Sequence, residues 1–194
     1  MIMTQVQQEE DKLNLAPKKF VMWLIVFTSF MFFAALTSAF IVYSSRPGYG
    51  LKMILPQAFK LSTLVIIMSS ITMYMASNAA RALQFDKQRL LLLTTGILGI
   101  LFLGLQVYAW GAMIKMGAYL INPNASQSFI YVFTGAHLVH IIAGIGLLIY
   151  AFLGNNKNIP QVKNLYRMEF ASIFWHFVDI IWIYLYVFLL LNQY

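Results

Sequence analysis

The stretch F-A-S-I-F-W-H-F-V-D-I-I-W-I-Y-L-Y-V-F-L-L-L, from Phe170 to Leu191, is almost pure hydrocarbon, yet His176 and Asp179 sit near its middle. Its length matches the roughly 20 apolar residues that one helix needs to cross a bilayer. An aspartate at the centre of such a helix costs roughly 2.5–3.5 kcal/mol on insertion scales. Something in the folded protein has to offset that cost. The pair therefore marks a face turned toward protein and not toward acyl chains.

Four further stretches read the same way: Phe20–Tyr43, Leu61–Ala80, Leu90–Ile114 and Phe129–Leu153. Each is bounded by charged or turn-forming residues such as Arg46-Pro47-Gly48, Asp86-Lys87-Gln88-Arg89 and Asn122-Pro123-Asn124. The reading is an all-α integral membrane bundle of five transmembrane helices. Residues 1–194 form a single membrane domain, with 1–16 as a polar tail. That tail carries Glu9, Glu10, Asp11 and Lys12 and shows no small-residue cleavage site, which argues against a removed signal peptide.

The 194 residues are 61% hydrophobic and 10% charged, against about 25% charged in soluble domains. The net charge of +7 suggests nucleic acid at first sight, but its carriers lie in short loops between the spans. They act as topology determinants, and no nucleic-acid partner is expected. Nine Lys and Arg residues fall on the side of the N-terminus and four on the other. The positive-inside rule puts the N-terminus in the cytoplasm and the C-terminus outside. Without cysteine, the chain can build neither a disulfide nor a sulfur-ligated metal site.

Polar residues inside the spans fall at three-, four- and seven-residue steps, so each set lines one helix face. The fifth span aligns Glu169, Ser172, His176 and Asp179; the third aligns Thr95, Gly99 and Gln106; the fourth aligns Thr134, His137, His140 and Gly144. Ala35 and Ala39 in the first span, and Ala76 and Ala80 in the second, are small-xxx-small pairs that permit close helix approach. Packing with a few buried hydrogen bonds explains any one of these residues. The sharper readings are weaker. Three imidazoles could ligate a metal or haem, but His137 and His140 share one helix turn, and a closed zinc site wants four ligands. A stand-alone transporter would need more intramembrane acids than Glu169 and Asp179, or broken helices, and neither is visible. The residues alone describe a membrane subunit with no catalytic, cofactor or metal site of its own, whose polar stripes face neighbours.

Several blocks then resemble subunit III of the haem-copper oxidases, the cytochrome c and quinol oxidases of respiratory chains. Glu169 to Trp182, with Trp175 and Trp182 as signature residues, resembles the last helix of that family. Phe133-Thr134-Gly135-Ala136-His137-Leu138-Val139-His140 resembles its T-G-x-H-x-x-H helix. Leu98 to Leu103 leading to Gln106, and Trp23-Leu24 followed by Met31-Phe32-Phe33, resemble two more blocks in the same order. Many relatives have seven helices, and this chain would lack the first two. A membrane-embedded carboxylate of the family is Ser29 here, and its glutamate after the glutamine is Ala109.

The resemblance implies an accessory subunit of a terminal oxidase that reduces oxygen to water and pumps protons. The subunit would stabilise the catalytic subunit and support proton uptake. Haem and copper would sit in subunits I and II, with small subunits as further partners, in a bacterial inner (plasma) membrane. A haem-binding membrane anchor or a small transporter is the alternative. Within the bundle, Glu169, His176, Asp179, His137, His140 and Gln106 are expected to form a structural polar network, with His137 or His140 as partner of the His176–Asp179 pair. Phospholipid is expected in a groove between the first two helices and the last three, its head groups near Lys18, Lys19, Arg81 and Arg89.

Overall fold

The computed structural model describes the backbone of residues 2–48, 50–51, 55–121, 124–155 and 161–193. Side chains are described within these ranges from Pro17 onward, apart from those of 155 and 161. The side chains of Glu9, Glu10, Asp11 and Lys12, together with Lys52, Asn122, Pro123 and Lys157, lie outside the described residues.

Five helices follow one another: α1 (Ile2–Ser44), α2 (Ala58–Arg81), α3 (Phe85–Lys115), α4 (Ala125–Asn155) and α5 (Gln161–Leu191). All five contain stretches long and apolar enough to cross a membrane. Among the described residues there is no strand. The helices overrun the apolar runs of the sequence because their polar ends keep satisfying backbone groups beyond the hydrocarbon. The segment read as a polar tail is helical backbone from Ile2, continuous through Pro17, and the apolar span begins at Pro17. Gln-, Glu- and Lys-rich sequence of this kind favours helix outside the membrane as well.

Two helix ends close with the same hydrogen-bond pattern. At α2, the Gln84 amide bonds the Ala79 carbonyl at 3.0 Å and the Leu83 amide bonds Ala80 at 3.3 Å. At α3, Ala118 bonds Met113 and Gly117 bonds Ile114, both at 3.0 Å. This is the Schellman arrangement, which places one residue in the left-handed region. Gly117 fills that place at φ 82°, as glycine usually does; Leu83 fills the other at φ 59°. The turn at Leu83 lets α3 start after only three linking residues and fold back along α2.

The helices α2, α3, α4 and α5 form a closed ring of neighbours, each packed on the next, with α5 returning to α2. α1 packs outside that ring, against α4 and α5. This overturns the expected division into a first pair and a last three, because α2 belongs to the ring. Ala76 and Ala80 are buried where α2 meets its neighbours, beside Met73 and Leu92, as small-residue packing predicts. Ala35 and Ala39 are exposed instead. α1 docks through bulk: Phe33 and Phe40 are fully buried, and the Phe40 ring meets Phe129, Phe133 and Phe188 at 5.5–5.9 Å. Aromatic contacts of this kind fill the α1 interface that close backbone approach would otherwise make. The outer faces are apolar too, with residues such as Phe27, Ile97, Ile142 and Ile180 exposed. A bundle hydrophobic all round is suited to a lipid environment.

Candidate functional site

The polar seam of the bundle runs between α5 and α2. The indole N–H of Trp175 donates to Ser69 Oγ at 2.9 Å, and that of Trp182 donates to Thr63 Oγ1 at 3.1 Å. Between them, His176 Nδ1 and the Ser70 hydroxyl share a bond of 2.7 Å. The order fits two antiparallel helices, since Trp175 meets Ser69 and Trp182, seven residues later on α5, meets Thr63, six residues earlier on α2. Trp175 and Trp182 are each only 1% exposed, so their donors have no access to water and need these partners. Sequence reasoning did not single out the hydroxyls of α2. The seven-residue repeats Ser62/Ser69 and Thr63/Ser70 were the available signal.

Trp175 is also fixed sterically. A Cβ on Gly99 of α3 would come within 2.8 Å of its ring, and one on Gly144 of α4 within 3.0 Å. The indole thus lies between two glycine seats on different helices. Trp182 stacks on Phe59 at 5.9 Å and meets Phe102 edge-on at 4.8 Å.

The three histidines go to three different places. His137 is fully buried among Phe33, Phe102 and Trp182, with ring centroids 6.4, 5.6 and 5.0 Å away. His140 turns toward α1: its Nδ1–H donates to the Ala136 carbonyl at 2.8 Å, and Nε2 lies 3.3 Å from Ser29 Oγ. His176 faces Ser70. The expected link from the His176–Asp179 pair to His137 or His140 is therefore corrected. The nearest neighbouring helix to that face of α5 is α2, and it supplies a hydroxyl. Asp179 is 3% exposed, with the Ser70 hydroxyl alongside. Its carboxyl oxygens nevertheless find no hydrogen-bond partner, and neither do the amide of Gln106 nor the ring nitrogens of His137. Among the described residues, no three His, Cys, Asp or Glu side chains come together in a way that would hold a metal.

Glu169 is half-exposed at the end of the seam and pairs with Lys19 of α1 at 2.7 Å. Deeper, Gln88 of α3 and Asn164 of α5 exchange amide bonds of 3.3 and 3.4 Å. Near the other end, Thr37 Oγ1 and Tyr184 Oη are 2.8 Å apart, which ties α1 to α5.

A groove lies where α1 leaves α4. Its apolar part, about 380 Å³, is lined by Met22, Ile25, Val139, Leu147, Phe170 and Phe174, with Ser29 and His140 as its polar spot. It continues through Leu147 and Phe170 into a rim of about 470 Å³ that includes Lys18, Lys163 and Arg167. Arg167 is held over the Tyr150 ring at 4.2 Å and occupies the space beside Gly154, where a Cβ would come within 2.7 Å of its guanidinium. Of the other cations singled out from the sequence, Arg89 lies over Phe152 at 5.2 Å, and Arg81 is exposed at the end of α2.

Five membrane-length helices, apolar on their outer faces, with polar side chains gathered between them, define a multi-pass membrane protein. Comparison with known proteins narrows the class. The family model for cytochrome c oxidase subunit III matches residues 14–193, and the chain belongs to that family. It is 25% identical over 172 residues to cytochrome c oxidase subunit 3 of Bacillus sp. (strain PS3), covering 84% of this chain and 80% of that relative. It is 27% identical over 126 residues to cytochrome c oxidase subunit 3 of Bacillus subtilis (strain 168), covering 65% and 61%. It is 27% identical over 195 residues to cytochrome bo(3) ubiquinol oxidase subunit 3 of Buchnera aphidicola, covering 98% and 94%.

Proposed function

We propose that this chain is the accessory subunit III of a respiratory haem-copper terminal oxidase, in a complex that reduces oxygen to water. The family match across residues 14–193 is the observation that carries the reading. Haem and copper belong to partner subunits I and II. The contribution of this chain is to brace the catalytic subunit and sustain its proton uptake. The N-terminus lies in the cytoplasm and Tyr194 outside, in a bacterial plasma membrane, because nine of the thirteen Lys and Arg residues gather on the N-terminal side. The test is to tag the chain, extract it in mild detergent and measure what copurifies. Oxidase subunits carrying haem should come with it. A strain without the chain should keep its haem per catalytic subunit while its activity decays faster during turnover. A chain that purifies alone with a Soret band of its own would overturn the reading.

Phospholipid belongs in the α1–α4 groove. Like the expected cleft, this groove lies between the first helix and the last ones, but α2 contributes none of the residues that line it. An acyl chain restores the dispersion contacts that an open apolar groove forfeits. Lys18, Lys163 and Arg167 form the cationic end that suits an anionic head group. Of the four residues first named for this role, Lys18 lines the groove, whereas Lys19 is engaged with Glu169. Lipid extracted with the purified complex should lose its anionic component in Lys18→Ala/Arg167→Ala relative to wild type. Unchanged anionic lipid per complex would remove the assignment.

A further inference from the structure

Gln106 and His137 are both 0% exposed, and none of their four side-chain polar atoms has a hydrogen-bond partner. Native proteins leave few buried polar groups unpaired, because each costs about 1–3 kcal/mol. Two such residues at one level of the same interior need a common explanation.

Their positions are bracketed by contacts between α3 and α4. Phe102, one turn before Gln106, meets the His137 ring edge-on at 5.6 Å. Trp110, one turn after Gln106, donates its indole N–H at 2.9 Å to Thr134, one turn before His137. Gln106 lies on the buried stripe of α3 that runs through Gly99, Phe102 and Ala109, so it projects into the ring of helices. The imidazole and the amide thus share one layer.

A direct bond would require one of them to move. The imidazole has no room to do so, since Phe33, Phe102 and Trp182 pack around it, with Trp182 pinned by Thr63. The complementary ligand is small and can both donate and accept. A neutral imidazole presents one N–H and one lone pair, and the amide presents an NH₂ and a carbonyl oxygen. Water matches both sets, and buried waters typically make about three hydrogen bonds to groups of this kind.

We propose that Gln106 and His137 form a buried water-binding site that carries a hydrogen bond between α3 and α4 in the centre of the bundle. The ligand is water held by an amide and an imidazole, both supplied by this chain. In the intact complex, a density map that resolves ordered water should show a peak within hydrogen-bond reach of both side chains. Direct contact between the two side chains, or well-resolved side chains with no density between them, would overturn the proposal. A double-mutant cycle gives a second readout, the rate at which the subunit dissociates from the complex in detergent. Gln106→Leu and His137→Leu should each raise it about tenfold, and the double variant should be no worse than the worse single. His137→Gln, which keeps a donor and an acceptor, should stay near wild type. Fully additive losses, about a hundredfold in the double variant, would show that the two residues share no ligand.

Discussion

Replacing Gly99 by alanine tests the packing of α5 most directly. The added Cβ would lie 2.8 Å from Cη2 and 3.2 Å from Cζ2 of Trp175, closer than carbon atoms tolerate. The indole has no route of escape. Gly144 closes the opposite side, where a Cβ would be 3.0 Å from Cε3, and the Nε1–H···Ser69 bond of 2.9 Å fixes the ring edge. Relief has to come from moving α3 away from α5 or from breaking the Ser69 bond. Overpacking of this kind costs about 1–3 kcal/mol, which is roughly a 5- to 150-fold change in an equilibrium. The assay is reversible unfolding or subunit dissociation in mild detergent. Gly104→Ala and Gly111→Ala serve as controls, because a Cβ at either site meets nothing within 4 Å. Those controls should be neutral or gain up to about 1 kcal/mol from the better helix former. In a Trp175→Phe background the six-membered indole ring is gone, so the penalty of Gly99→Ala should largely disappear. A Gly99→Ala protein as stable as Gly104→Ala would refute the two-glycine seat.

Leu83→Gly should stabilise the chain by about 1 kcal/mol, measured as a shift in the thermal midpoint, because the left-handed conformation at φ 59° strains leucine and the side chain is 58% exposed. Trp182→Phe removes the donor to Thr63 but keeps the stack on Phe59; thermal unfolding should show a loss of about 1 kcal/mol from the bond plus a packing term. Glu169→Gln breaks an ion pair between half-exposed groups, so it should change stability by less than about 1 kcal/mol, and less again in high salt. Ser29→Ala should leave the His140–Ala136 bond intact and shift stability only slightly in the same assay, since it removes a single 3.3 Å contact.

The five spans were legible because a bilayer accepts very few backbone arrangements, and the carboxyl group of Asp179 marked α5 as the inward helix. Partner identity was harder to read. Ser62 and Thr63 also bond carbonyls of their own helix, at Ala58 and Phe59, so hydroxyls in a span can satisfy themselves locally and do not announce which helix they face. The stripes of α3 and α4 were visible as periodicity, but periodicity cannot separate a glycine that seats Trp175 from one that merely faces lipid. Gly99 and Gly104 differ in this respect only once α5 is in place. The placement of α1 was illegible for a related reason. Its small residues suggested close approach, whereas the face that carries Phe33 and Phe40 made the contact.

The dominance of α5 follows from what holds helices together in lipid. Acyl chains are as apolar as leucine, so burial of hydrocarbon adds little to association, and packing with scattered hydrogen bonds has to suffice. Individual interhelical bonds in membranes average only about 0.6 kcal/mol, too little for any one to fix a register. α5 combines several: the Trp175, His176 and Trp182 bonds to α2, the Asn164 pair with α3 and the Tyr184 contact with α1. A slip of one residue along α5 would break all of them together and drive the indole of Trp175 out from between Gly99 and Gly144. Steric fit and hydrogen bonding therefore select the same register. The span with the largest buried share, 44% for α5 against 17% for α1, is the one that touches every other helix.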